Sequence, residues 1–152
     1  RYSRAMLREQ LGDLNGMEAD LRHILEDNPD NATALNALGY TLSNHTNRYA
    51  EAEQLISRAL TLAPEEPAIL DSMGWVLFRQ NRAEEALHYL QRAWTGLKDP
   101  EVAAHLGEVL WTLGREEDAT VWRNGLQLDP EHRTLLETLQ RLQVPPARLE
   151  GE

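Results

Sequence analysis

Apolar residues recur along the chain at helical spacing, and the clusters they form repeat. Leu38-Gly39-Tyr40-Thr41-Leu42, Met73-Gly74-Trp75-Val76-Leu77 and Leu106-Gly107-Glu108-Val109-Leu110 align on one another, with their glycines 35 and 33 residues apart. Asn47-Arg48-Tyr49-Ala50-Glu51-Ala52, Asn81-Arg82-Ala83-Glu84-Glu85-Ala86 and Gly114-Arg115-Glu116-Glu117-Asp118-Ala119 follow in the same register. An earlier, partial copy runs from Leu11-Gly12-Asp13 through Met17, Leu21 and Ile24 to Pro29. A period of about 34 residues predicts stacked helix-turn-helix units.

Each repeated position has a physical reading. A glycine inside a helix costs about 1 kcal/mol against alanine, so Gly39, Gly74 and Gly107 predict close approach of a second backbone. The matching small residues on the second helices are read as Ala52, Ala86 and Ala119. Gly12, Asn47, Asn81 and Gly114 stand between the helices, and these residue types predict a left-handed turn there. Pro29, Pro64, Pro100 and Pro130 separate the units, while Asp99-Pro100-Glu101 and Asp129-Pro130-Glu131 read as helix starts. The predicted division is a partial unit over 1–30, units over 31–65, 66–98 and 99–130, a capping helix over 131–143 and a frayed tail over 144–152. In the fourth unit Gly125 replaces the late alanine, and Ala119 to Gly125 is one residue shorter than Ala86 to Ala93, which predicts a rewound or shifted second helix. Leu135, Leu136, Leu139 and Leu142 supply the apolar stripe of the cap. The start has no comparable cap, so the chain reads as about three and a half helix pairs from the C-terminal part of a longer array.

These residues resemble the tetratricopeptide repeat, which implies an all-α, right-handed superhelix of antiparallel helix pairs with a C-terminal capping helix. The segments Asp71-Ser72-Met73-Gly74-Trp75-Val76-Leu77, His105-Leu106-Gly107-Glu108-Val109-Leu110-Trp111 and Leu35-Asn36-Ala37-Leu38-Gly39-Tyr40-Thr41-Leu42 are similar to the C-terminal repeats of large proteobacterial tetratricopeptide lipoproteins. That family implies a periplasmic location, a lipid anchor in the outer membrane outside this segment, and an adaptor role. Its partners would be a carboxyl-terminal processing protease and the cell-wall hydrolases that it cleaves.

In such arrays the first helices line a concave groove for extended peptides or helices. The resemblance therefore places Asn36, Tyr40, Ser43 and Asn44 in the groove, then Asp71, Trp75, Phe78 and Arg79, then Glu101, Ala104, Glu108, Trp111 and Thr112. Aromatic side chains are common anchors of interfaces, but stripes of large apolar residues are more often core, so Trp75 and Phe78 carry both readings. Trp94 and Trp122, on second helices, are read as core. A clamp of basic residues for a terminal carboxylate is not matched, because Asn36, Asp71, Ser72, Glu101 and His105 stand where it would be and Arg79 alone is basic nearby. An acidic groove would favour basic or neutral segments.

Charge narrows the partners further. There are 15 Lys and Arg against 25 Asp and Glu, a net charge of -10. That sign disfavours nucleic acid and anionic membrane surfaces, leaving protein partners, self-association among them. With no cysteine and only Lys98 as lysine, thiol and Schiff-base chemistry are nearly excluded. Glu101, His105 and Glu108 share a helix face with metal-ligand spacing, but an exposed polar face explains them more simply. The expectation is therefore a non-catalytic module with no cofactor and no metal. The competing expectation is an architectural end-cap or self-association module, with partner binding elsewhere in the array.

Overall fold

A computed structural model of the chain describes residues 2–150. Four helix pairs follow one another: α1 (Tyr2–Gln10) with α2 (Leu14–Asp27), α3 (Ala32–His45) with α4 (Tyr49–Leu62), α5 (Pro67–Arg79) with α6 (Ala83–Gly96), and α7 (Pro100–Thr112) with α8 (Asp118–Leu128). Helix α9 (Arg133–Arg141) and a 3-10 helix over Pro146–Leu149 complete the described residues, which contain no strand. Helices within a pair pack on each other, and α3, α5, α7 and α9 also make a row of successive contacts.

Local chemistry sets the starts of the helices. Asp13, Asn31 and Asp99 each accept a backbone N–H from the first turn that follows, and Pro67 and Pro100 begin α5 and α7 where a missing N–H costs nothing. Asp129 instead accepts from Glu131 N in a turn at 3.1 Å, and α9 begins later than expected, with the His132 ring accepting from Leu135 N. Gly12, Asn81 and Gly114 adopt positive φ as expected. Asn47 does not: Thr46 ends α3 in extended geometry, its hydroxyl donating to Leu42 O and accepting from Arg48 N, so no left-handed residue is needed.

The small residues mark close approach. A Cβ on Gly39 would meet Ile56 Cγ1 at 2.5 Å, and one on Gly74 would meet Leu90 Cγ at 2.5 Å. At Gly107 the neighbour is Trp122 Nε1, at 2.0 Å. Trp122 is thus the counterpart of Ile56 and Leu90, and the register of α8 runs Asp118, Trp122, Gly125 beside Ala52, Ile56, Ala59 and Ala86, Leu90, Ala93. The small position in the fourth unit belongs to Asp118 and not to half-buried Ala119, which removes the apparent one-residue deletion.

Two further expectations change. Arg1 lies outside the described residues, but Tyr2–Gln10 forms a helix that buries Ala5 in the cluster holding Met17 and Leu21, so the described part of the first unit is also a helix pair. Gly151 and Glu152 also lie outside them, whereas Pro146–Leu149 is seated and not frayed. Val144 and Leu149 pack against the cluster of Trp122, Leu135 and Leu139, and Arg148 reaches buried Asp118 at 2.7 Å. Arginines also tie the second and third units to the one before: Arg48 to Glu18 and Arg82 to Glu53 at 2.9 Å, and Arg58 to Asp30 at 2.7 Å. No described helix is long and apolar enough to cross a membrane.

Candidate partner-binding groove

Three equivalent positions, each one residue after the close-approach glycine, hold Tyr40, Trp75 and Glu108. Glu108 is buried against Arg141 of α9, while Tyr40 and Trp75 line the face of the first helices. Two compartments open there. One, of about 360 Å³, lies between α3 and the starts of α5 and α7, with Asn36, Ala37, Pro67, Ala68, Leu97 and Val102 among its walls. The other, of about 270 Å³, is walled by Asn44, Trp75, Arg79 and His105, with Thr134, Glu137, Thr138 and Arg141 from α9. Tyr40 and Glu101 belong to both.

A polar chain runs through this partition. His105 is 2% exposed, with Nδ1 at 2.9 and 3.1 Å from the two Asp71 oxygens and its ring stacked on Trp75 at 4.1 Å. Its Nε2 lies 3.4 Å from the Tyr40 hydroxyl, which donates to Glu101 Oε1 at 3.2 Å. Glu101 Oε2 is in turn 3.5 Å from His132 Nε2. Burial opposes charge on His105, but the adjoining Asp71 carboxylate, with Glu101 and Glu108 beyond it, outweighs burial and raises its pKa above the ordinary histidine value. Burial pushes the Tyr40 hydroxyl up, and the Glu101 and Asp71 carboxylates push it further, so Tyr40 stays a donor.

The expected groove residues separate accordingly. Asn36, Tyr40, Asn44 and Arg79 do line the compartments. The Asn44 side-chain oxygen accepts from Trp75 Nε1 at 3.3 Å, and Arg79 lies over the Tyr49 ring. Trp75, at 6% exposed, is a packed wall and not a free docking platform, and Phe78 sits half-buried against it. Trp111 is half-buried against Trp122, which is fully enclosed. Trp94 is half-buried under Lys98 Nζ. Ala104 is core, Ser43 is buried with its hydroxyl on Tyr40 O, and Thr112 is exposed.

The acidic character of the groove is also revised. Asp71 is engaged by His105, and Glu108 is buried beneath Arg141, whose guanidinium binds both of its oxygens. Those pairings direct Glu101, His105 and Glu108 to different partners, and no group of three such side chains among the described residues is placed to hold a metal. Sequence reasoning missed His105 as a hub and read α9 as a cap alone, missing Thr134, Glu137, Thr138 and Arg141 as a wall of the groove. The readable signal was an acid and an imidazole, Asp71 and His105, 34 residues apart on adjacent first helices.

Residues 2–67 and 68–98 each match the tetratricopeptide repeat family. The chain is 55% identical over 107 residues to the TPR repeat-containing protein PA4667 of Pseudomonas aeruginosa, covering 70% of this chain and 18% of that protein. It therefore spans under a fifth of that relative's length. Among solved structures, PilW, a type IV pilus biogenesis factor, superposes with a TM-score of 0.78 at 20% identity over 97% of this chain and 69% of its own. The thermophilic TPR protein TTC0263 of Thermus thermophilus gives 0.76 at 17% identity, over 92% and 78%. At such identities the two structures support the architecture alone. The repeated glycine-to-second-helix packing and these matches agree: the chain belongs to the tetratricopeptide repeat family.

Proposed function

We propose that the chain is a non-catalytic docking scaffold, the C-terminal part of a periplasmic tetratricopeptide adaptor anchored at the outer membrane. Its partners are a carboxyl-terminal processing protease, the cell-wall hydrolases it cleaves, or both. The observation that carries docking is the pair of compartments on the first-helix face, where Asn36, Tyr40, Asn44 and Arg79 are presented by helices locked to their neighbours. Holding enzyme and substrate on one array raises their effective concentration, so the adaptor accelerates cleavage with no catalytic residue of its own.

Removing this segment from the full-length adaptor tests the assignment, with circular dichroism checking that the remainder stays folded. Loss of protease or hydrolase binding is expected. Unchanged binding assigns the segment to architecture instead, a reading that the closed last pair favours, since Arg141 and Arg148 cover the buried carboxylates Glu108 and Asp118.

A further inference from the structure

Tyr40 and Glu101 stand 61 residues apart in sequence, two units apart in the array, and meet across the concave face. They are the residues common to both compartments, so an extended segment running the length of the groove has to part them. We propose that the Tyr40–Glu101 contact is a latch across the groove, held while the His105 ring carries both of its N–H protons and released when Nε2 gives up its own. The consequence for binding rests on the docking role proposed above; the latch itself does not.

Tyr40 has one hydroxyl hydrogen and two neighbouring acceptors to choose between. With both ring nitrogens protonated, Nδ1–H donates to Asp71 and Nε2–H points at the Tyr40 oxygen. The hydroxyl hydrogen then has only Glu101 to bond. When the Nε2 proton leaves to solvent, Asp71 retains the one on Nδ1, and the bare Nε2 becomes an acceptor 3.4 Å from the hydroxyl. The hydroxyl turns to it and Glu101 loses its donor. Charge acts in the same direction, because loss of the imidazolium removes the cation between Asp71 and Glu101.

Other charged groups surround the ring, and they set what the experiment must control. Glu101 and Glu108 lie on the same helix as His105, Asp71 and Arg79 on α5, and Tyr40 on α3, where Glu9 of α1 also acts on it. From the C-terminal side come Arg141, bonded to Glu108, and Glu137 in the second compartment, with His132 3.5 Å from Glu101. His132 is the other imidazole in contact with Glu101, so its contribution there must be separated.

The test is a pH titration by NMR of the intact chain, following the His105 ring nitrogens and the Glu101 side-chain carboxyl carbon from about pH 5 to 9. The Glu101 signal is expected to step at the His105 midpoint, above the ordinary value of about 6.5. Tyr40→Phe keeps the ring and removes the hydroxyl; His105 should still titrate while the Glu101 step shrinks at least threefold. His132→Asn should keep the step. The latch is overturned by a step of undiminished size in Tyr40→Phe, by its loss in His132→Asn, or by a His105 midpoint below the ordinary range. No partner enters the experiment, so such a failure leaves groove docking to the deletion test.

Discussion

Trp122 occupies the space that a side chain on Gly107 would need, its indole nitrogen 2.0 Å from the position of a Cβ there. The indole is fully buried and has no route of retreat. Gly107→Ala should therefore destabilise by about 1–3 kcal/mol through overpacking. Gly12→Ala meets no atom within 4 Å but must hold a φ of +80°, a cost of about 1 kcal/mol. Urea unfolding of both variants checks the order, and a reversed order would remove Trp122 as the reason for the glycine.

Asp118 stands where the preceding units have Ala52 and Ala86, and it is 1% exposed. Arg148→Ala leaves that carboxylate without its guanidinium and should cost about 1–3 kcal/mol, reduced by the partial exposure of the arginine. Asp118→Ala restores the residue type of the other units and should be near neutral. Combined with Arg148→Ala it should recover most of the loss. Thermal unfolding of the two single variants and the double variant closes the cycle; additive losses would show that Arg148 acts by packing alone.

Stability should depend on His105 with a defined sign. Its folded pKa lies above the unfolded value of about 6.5, so the stabilisation from the charged form is complete below that pH and fades as pH rises through the folded value. Asp71→Asn removes the leading cause of the rise and leaves burial to dominate. The variant should then gain stability, not lose it, as pH rises from about 5 to 7. Denaturant midpoints across pH 5 to 9 read both slopes, and parallel profiles for the two proteins would refute the assignment.

Trp75→Ala should be a folding variant. Removing a large ring stacked on His105 and packed against Phe78 costs about 3–5 kcal/mol. Arg79→Ala and Asn44→Ala, at exposed positions, should keep the helical signal and wild-type melting within a degree or two. They are the substitutions on which a partner-binding assay should rely, and circular dichroism melts establish whether they qualify.

The repeat architecture was legible because glycine opposite alanine leaves a strong periodic mark, at Gly39 with Ala52 and at Gly74 with Ala86. The mark failed in the fourth unit for a physical reason. A buried aspartate in place of alanine is tolerable only with Arg148 beside it, and that arginine belongs to a segment whose prolines suggest an unstructured end. The first helix was obscured because Tyr2–Gln10 carries no glycine and buries only Ala5. In the groove, positions were readable and exposure was not. Helical spacing sends Trp75 and Glu108 toward the concave face, but it says nothing of His105 stacking on one or Arg141 covering the other.

The directions of the arginine bridges differ between the units, and that difference sets an order of assembly. Arg48 and Arg82 reach back to Glu18 and Glu53, acids already present when each arginine is made. Glu108 and Asp118 wait for guanidiniums 33 and 30 residues downstream. During synthesis the second unit can dock as it emerges, the third holds buried Asp71 until His105 follows, and the fourth holds Glu108 and Asp118 until Arg141 and Arg148 follow. The fourth unit is thus completed by guanidiniums from the segment that follows it.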